Sequence, residues 1–167
     1  MNIIPYIIDD GIPTIKDSDI MGLFDTMEAE DLIRWVFYDG SVQDRVTFLN
    51  VMKANNLCVV VEEEKPIAFV WFTDRRVRQA QIHFCFFKEA RGKKAREVGK
   101  FILDVMMGAD FDCLVGYIPK FNYPAINLFK DLGVEFSGVI RNGIYNHRNN
   151  RSEDCYVVYF DMVPTYP

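Results

Sequence analysis

Ala80–Phe87 reads AQIHFCFF, Lys88–Arg96 reads KEARGKKAR, and Asn122–Gly133 reads NYPAINLFKDLG. The first is an apolar and aromatic strand, the second a basic turn, and the third a short helix that Asn122 caps, Pro124 tolerates in its first turn and Gly133 stops. Between them, Ala95, Val98, Gly99, Ile102, Val105 and Met106 fall at i, i+3, i+4, i+7 spacing. Arg96, Glu97, Lys100 and Asp104 take the other face, so an amphipathic helix is predicted. Cys113–Ile118 follows as a strand. A strand–helix–strand unit crosses over, so the strands on either side of this helix form a parallel pair. A turn that leaves a strand and opens a helix collects backbone N–H groups, which hold phosphate.

Working outward, residues 2–8 read as a first strand. Leu32, Trp35 and Val36 recur at helical spacing from Glu28 to Tyr38, and Ser41 offers an N-cap for a second helix through Val46, Leu49 and Met52. Leu57–Val61 and Ile67–Phe72 form a hairpin around the polar turn Glu62–Pro66, and Val77–Phe87 is the next strand. Phe136–Ile140 and Tyr156–Phe160 close the sheet, joined by a polar, glycine-containing stretch, RNGIYNHRNNRSED, that reads as a mobile loop. The fold class is mixed α/β.

At 167 residues, half of them apolar, the chain has material for one core, and a single domain over residues 1–167 is expected. No apolar run approaches the roughly eighteen residues that span a bilayer, and MNIIPYIIDD lacks the marks of a signal peptide, so the expected location is the cytoplasm, without membrane contact. Cys58, Cys85, Cys113 and Cys155 lie far apart in apolar runs without metal-ligand spacing, and are expected as reduced core residues with no metal.

Charge is unevenly placed. Between Arg75 and Lys100 stand nine basic and two acidic residues, in a chain whose net charge is −5. Such a patch points to one bound polyanion. Residues 1–74 hold fourteen acids and five bases, which disfavours nucleic-acid binding through that half. This acidic surface either attracts an amine or simply keeps the protein solvated.

The segment Ala80–Phe136 resembles the GNAT superfamily of acyl-CoA-dependent N-acetyltransferases. In that family a strand enters a Q/R-x-x-G-x-G/A turn, matched here by Arg91, Gly92, Lys93, Lys94, Ala95 and Arg96. The second signature, N-x-x-A-h-x-L-Y-x-x-x-G-F with h apolar, is matched by Asn122, Ala125, Ile126, Leu128 and Gly133. The resemblance implies a mostly antiparallel, twisted sheet of about seven strands with one parallel pair and about four flanking helices. It also implies acetyl-CoA or CoA as co-substrate and an amine acceptor, either a small molecule or a protein N-terminus or lysine. The implied cofactor-binding residues are Phe84, Cys85 and Phe86, whose strand offers a backbone amide to the thioester carbonyl, the turn Arg91–Arg96, Asn122 and Phe129.

This chain departs from the pattern at the turn and at both proton-transfer positions. Lys94 and Arg96 replace the turn's later glycines, which trades close backbone approach for charge. Lys93, Lys94 and Arg96 either merely solvate the start of the helix or hold an anion; cations there oppose the helix dipole, so the cluster is unfavourable unless an anion is bound. Gln81 matches the glutamate base of the family's histone-acetyltransferase branch and cannot take a proton. His83, two residues on and on the same face of the strand, titrates near neutral pH when unperturbed and is the substitute base or, equally, a core histidine bonded to a neighbour. Phe129 replaces the tyrosine that protonates the thiolate. Tyr123, Tyr117 and Tyr145 are the substitutes, with Tyr123 nearest in sequence, although each ring has an alternative in packing. A thiolate also leaves with water as proton donor. Trp71, Phe72, Phe84, Phe86 and Phe87 read as core, with one subset facing the other side of the sheet.

The leading expectation is acetyl transfer to a primary amine by direct attack. The eroded turn, Gln81 and Phe129 support an alternative, a GNAT-fold binding or assembly module without catalysis, of phage or mobile-element type. A third reading takes the Arg75–Lys100 patch as a nucleic-acid site; only charge supports it. Arg141, Arg148 and Arg151 of the final loop either clamp an acidic acceptor or a nucleic-acid backbone or are simply solvated.

Overall fold

The computed structural model describes residues 1–109 and 111–161. Strands β1 (Asn2–Pro5), β2 (Ile8–Asp9) and β3 (Ile12–Pro13) precede helices α1 (Asp17–Ala29), α2 (Ile33–Val36) and α3 (Arg45–Ala54). Then come β4 (Cys58–Glu62), β5 (Lys65–Thr73), β6 (Gln79–Phe86), α4 (Ala95–Ala109), β7 (Cys113–Pro119), α5 (Tyr123–Asp131), β8 (Glu135–Asn146) and β9 (Arg151–Asp161). Seven strands form one sheet in the order β1-β4-β5-β6-β7-β9-β8, antiparallel throughout except for the parallel pair β6–β7. This is the mixed α/β sheet the crossover predicts.

The apolar run of β5 is buried on both faces, and its period of two sorts the core. Phe69 and Trp71 pack with Phe24 of α1, Phe48 of α3 and Phe87; Val70 and Phe72 pack on the opposite face with Val98 and Ile102 of α4. The aromatic set divides accordingly, with Trp71 and Phe87 on one face and Phe72, Phe84 and Phe86 on the other. α5 closes a third cluster over Ile118 and Val158. Cys58, Cys85 and Cys155 are buried, and the four cysteines form no disulfide with one another.

Several predicted boundaries are corrected. The single helix expected from Glu28 to Tyr38 is the end of α1 and the four-residue α2, separated at Asp31, whose φ is +56°. Most of α1 was unanticipated, although Ile20, Leu23, Phe24 and Met27 are buried at helical spacing behind the first-turn acids Asp17 and Asp19. Ser41 does not cap α3. Its hydroxyl donates to Asp39, while Asp44 accepts from the Val46 and Thr47 amides at 2.9 Å, so the cap lies three residues later. The first strand ends at Pro5, and a small hairpin follows around Asp10 and Gly11, both at positive φ. Val77 lies outside β6 and is 92% exposed.

The expected mobile loop is a long β8–β9 hairpin instead. Register shifts between Phe136 and Gly138 and between Ile140 and Ile144 absorb extra residues as bulges, so polar and glycine residues are carried inside a strand. The Asn142 amide donates to Asp154, and the Tyr145 hydroxyl donates to Asn150 at 2.5 Å. At the hairpin tip the His147 amide donates to the Tyr38 carbonyl at 2.8 Å, which ties the hairpin to the α2–α3 connection.

Candidate active site

The site originates where the parallel pair ends. β6 and β7 are paired only through Gln79–Cys113, Ala80–Leu114 and Gln81–Val115. Beyond that point β6 stays with β5 and β7 with β9, and the two strands part. A cleft of about 860 Å³ opens between them, lined by Ile82–Phe86 on one side and Gly116–Pro119 on the other. The β6 edge from Ile82 onward has no ladder partner across it among the described residues, so its backbone groups remain available to a ligand.

At one end of the cleft is the basic turn. Lys88–Ala90 and Gly92–Lys94 form two short 3₁₀ turns that lead into α4, and Gly92 has φ +65°, the left-handed region that glycine adopts without strain. The opening amides of such a turn have no carbonyl before them to bond, and they sit at the positive end of α4. Arg91, Gly92, Lys93, Ala95 and Arg96 line the cleft. Lys94 does not. Its ammonium pairs with Glu62 of β4, outside the cleft, and the pair raises its pKa. Arg91 is paired with Glu30, the residue that follows α1, and the Lys88 amide donates to the same carboxylate at 2.9 Å. Lys93 and Arg96 have no carboxylate partner among the described residues. Of the nine basic residues, Arg78, Arg91, Lys94 and Lys100 are paired with acids, which divides the patch.

Five steps of extended chain, roughly 17 Å, separate His83 from Lys88, where this turn begins. His83 lines the cleft, whereas Gln81 lies below it in the closed part of the ladder. His83 Nε2 is 2.9 Å from Thr73 Oγ1, and the ring stacks on Trp71 with centroids 4.8 Å apart. Trp71 stacks in turn on Phe37 and Phe69, so a row of rings runs from the core to the cleft. Burial lowers the His83 pKa to about 4, with Asp74 and Asp39 opposing the shift only in part. The near-neutral titration expected of this residue is therefore corrected: it is uncharged at pH 7.

α5 supplies the opposite wall. Asn122 Oδ1 accepts from the Ala125 amide at 3.3 Å as the helix cap, and Phe129 packs on Phe84 and Phe160 with ring centroids 5.6 Å away from each. Both Asn122 and Phe129 line the cleft. Cys85 contributes its backbone; burial raises its thiol pKa and keeps it inert. Tyr123 is 69% exposed and outside the cleft, as is Tyr145; Tyr117 is a lining residue. Of the final-loop arginines, Arg151 pairs with Glu153 in the hairpin, and none of Arg141, Arg148 and Arg151 lines the cleft.

Sequence reasoning missed the wall formed by Leu32, Trp35, Val36 and Tyr38. Burial, with Asp39 adding, pushes the Tyr38 pKa to about 12, so its phenol stays protonated. The missed signal was the aromatic pair Trp35 and Tyr38 after the break at Asp31, which a single helix spanning both concealed.

A parallel pair that opens over a helix-start turn, in a sheet of this order, is the fold of the GNAT superfamily of N-acetyltransferases. Solved structures of that fold align with nearly the whole chain. Ribosomal-protein-S5-alanine acetyltransferase from Vibrio fischeri is 17% identical, covers 92% of this chain and 93% of its own, and superposes with a TM-score of 0.70. Spermidine N-acetyltransferase from Vibrio cholerae, solved in complex with CoA and spermine, is 14% identical with 95% of each chain covered and a TM-score of 0.70. A Salmonella typhimurium protein solved with its cofactor acetyl-CoA is 13% identical, with 99% and 96% covered and a TM-score of 0.69. No family model and no curated protein matches the sequence. Among the described residues no helix is long and apolar enough to cross a membrane.

Proposed function

We propose that this protein transfers an acetyl group from acetyl-CoA to a primary amine. The observation that carries the reading is the opening of β6–β7 after Gln81–Val115, with a basic, glycine-containing turn at one end of the gap and a half-buried histidine, uncharged at pH 7, near the other. Solved neighbours of the same fold were captured with CoA or acetyl-CoA, which supports that co-substrate. The fit is reasonable on this chain's own residues: Gly92 at positive φ, the α4 N-terminus, and the unpaired Lys93 and Arg96 suit a pyrophosphate, while the free edge at Phe84–Phe86 suits a thioester carbonyl and its amide arm.

In the reaction the amine nitrogen bonds to the acetyl carbon, the carbon–sulfur bond breaks, and the nitrogen loses a proton. With a pKa of about 4, His83 is too weak a base to deprotonate an ammonium ion. It suits the later proton loss, when attack on the carbonyl has made the nitrogen strongly acidic; the Thr73 hydroxyl at 2.9 Å offers the next step outward. Phe129 has no proton to give, so the thiolate takes its proton from water.

Acetyl-CoA titrated into the protein by calorimetry tests this reading. Saturable binding is expected, with free thiol released when an amine is added. An absence of binding by both acetyl-CoA and CoA would overturn it.

A second reading keeps acyl-CoA binding and drops catalysis. It is favoured by Phe129, which fills the acid position with a ring packed between Phe84 and Phe160, and by Gln81 lying off the cleft. Cofactor binding without turnover of any amine distinguishes it.

A further inference from the structure

The wall that α2 and its flanking residues bring to the cleft differs in character from the basic turn. Leu32, Trp35, Val36, Tyr38, Trp71 and Tyr117 bring apolar and aromatic surface to the same cleft as His83. Their placement is firm: Trp71 is 4% exposed and sits in the row of rings behind His83, while Trp35 and Tyr38 both pack on Phe121, with centroids 6.4 and 6.0 Å away. Tyr38 stays a neutral phenol. Of the three carboxylates that line the cleft, two are paired and the third stands on α5. Glu30 holds Arg91 and the Lys88 amide, Asp31 pairs with Arg34, and Asp131 belongs to the last turn of α5, beside α4. Among the described residues lining this wall, a ligand with a second or third positive charge would find no unpaired acid, since Asp39 and Asp74 act on His83 from outside the lining, whereas a ring would find flat surfaces to cover.

We infer that the acceptor is a primary amine carried on an apolar, ring-sized group, held by Trp35 and Tyr38 with its nitrogen toward His83. The inference rests on the acetyl-transfer reading above and names the substrate class of that site. Shape and charge both argue for it: aromatic walls stack on a ring and attract an ammonium weakly, but they cannot satisfy a polycation. A small amine and the N-terminus of a peptide that begins with an aromatic residue share this chemistry.

The test titrates 2-phenylethylamine, spermidine and the tripeptide Phe-Ala-Ala into the protein saturated with CoA, and repeats each titration without CoA while reading tryptophan fluorescence. Phenylethylamine or the tripeptide is expected to bind at least about tenfold more tightly than spermidine, and the ratio of the two tells which source fits. Spermidine binding as tightly as either overturns the inference, and so does an absence of binding by both ring-bearing amines. Failure of CoA to bind counts against the acetyl-transfer reading alone, because the titrations without CoA still report on the aromatic wall. Trp35→Ala is expected to weaken ring-amine binding about tenfold, leave CoA affinity unchanged, and be rescued by Trp35→Phe. Trp35 is 37% exposed, so its loss spares the core. An Ala variant that binds ring amines like the wild type would also overturn the assignment.

Discussion

The His83 ring lies flat against the Trp71 indole, with centroids 4.8 Å apart and planes inclined by 10°. Together with the Thr73 hydroxyl 2.9 Å from Nε2, this contact fixes the plane of the imidazole before any substrate arrives. A histidine held in this way cannot turn toward water to regain hydration, which is why burial shifts its titration so far.

Stability should therefore depend on pH through this residue. The unfolded chain protonates His83 near pH 6.5, the folded one only near pH 4. Between those values the unfolded state holds the extra proton, so stability falls as pH drops through this window and the effect levels off below it. The shift corresponds to about 3 kcal/mol. Urea denaturation at pH 7 and pH 4.5 should show a smaller loss in His83→Phe, which keeps a ring on Trp71, than in the wild type. Equal losses in the two proteins would refute the assignment.

The pH profile of catalysis should also lack a histidine limb. Because His83 is neutral above about pH 4, kcat/KM should rise with pH as the acceptor amine loses its proton. Acceptors of different basicity should move the inflection with them. An inflection fixed near pH 6.5 for every acceptor would contradict this.

Charge reversal should separate the lysines of the turn. Lys93→Glu with Arg96→Glu should lower acetyl-CoA affinity by at least about tenfold, since a charge-assisted contact contributes roughly 1.5–3 kcal/mol. Lys94→Ala, which breaks only the pair with Glu62, should change affinity little and stability by less than about 1 kcal/mol. Calorimetry with acetyl-CoA and a thermal melt distinguish the two effects.

Phe129→Tyr should supply the missing proton donor. The ring lines the cleft and is already packed against Phe84 and Phe160, so the substitution adds a hydroxyl to an existing position. General acid catalysis contributes roughly 10²–10⁴-fold where the proton transfer limits the rate. An increase in kcat with KM nearly unchanged is expected, measured by thiol release. No increase would mean that thiolate departure is not limiting or that the hydroxyl misses the sulfur.

Gly143→Ala should loosen the β8–β9 hairpin. A Cβ there would lie 2.7 Å from Ile140 Cγ2 and 2.8 Å from Cys155 Sγ, inside the bulge that keeps these strands paired. A loss of about 1–3 kcal/mol is expected from the forced displacement. Chemical denaturation measures it directly.

The sheet was legible because its strands announce themselves locally. β5 and β6 are β-branched and aromatic runs, and α4 and α5 carry a clean helical period with Asn122 capping the latter. The β8–β9 hairpin was not legible, because the register shift between Ile140 and Ile144 places Arg141–Gly143 inside a strand that has no alternation there. Within the site, the turn and His83 could be found from the chain, since each is fixed by its own neighbours. The side chains of Lys94 and Arg91 could not be placed: their partners Glu62 and Glu30 are 32 and 61 residues distant in sequence. The Trp35–Tyr38 wall was hidden differently, because a single helix read from Glu28 to Tyr38 concealed the break at Asp31.

Three rungs of ladder hold the two halves of the sheet together at β6–β7, and the unpaired remainder of both strands lies along the cleft. A ligand that bonds to both edges would act as the missing rungs, turning two half-sheets into one rigid plate. Its occupancy would then be felt in the slow amide exchange of β4 and β9, which do not line the cleft, as much as in the residues that do.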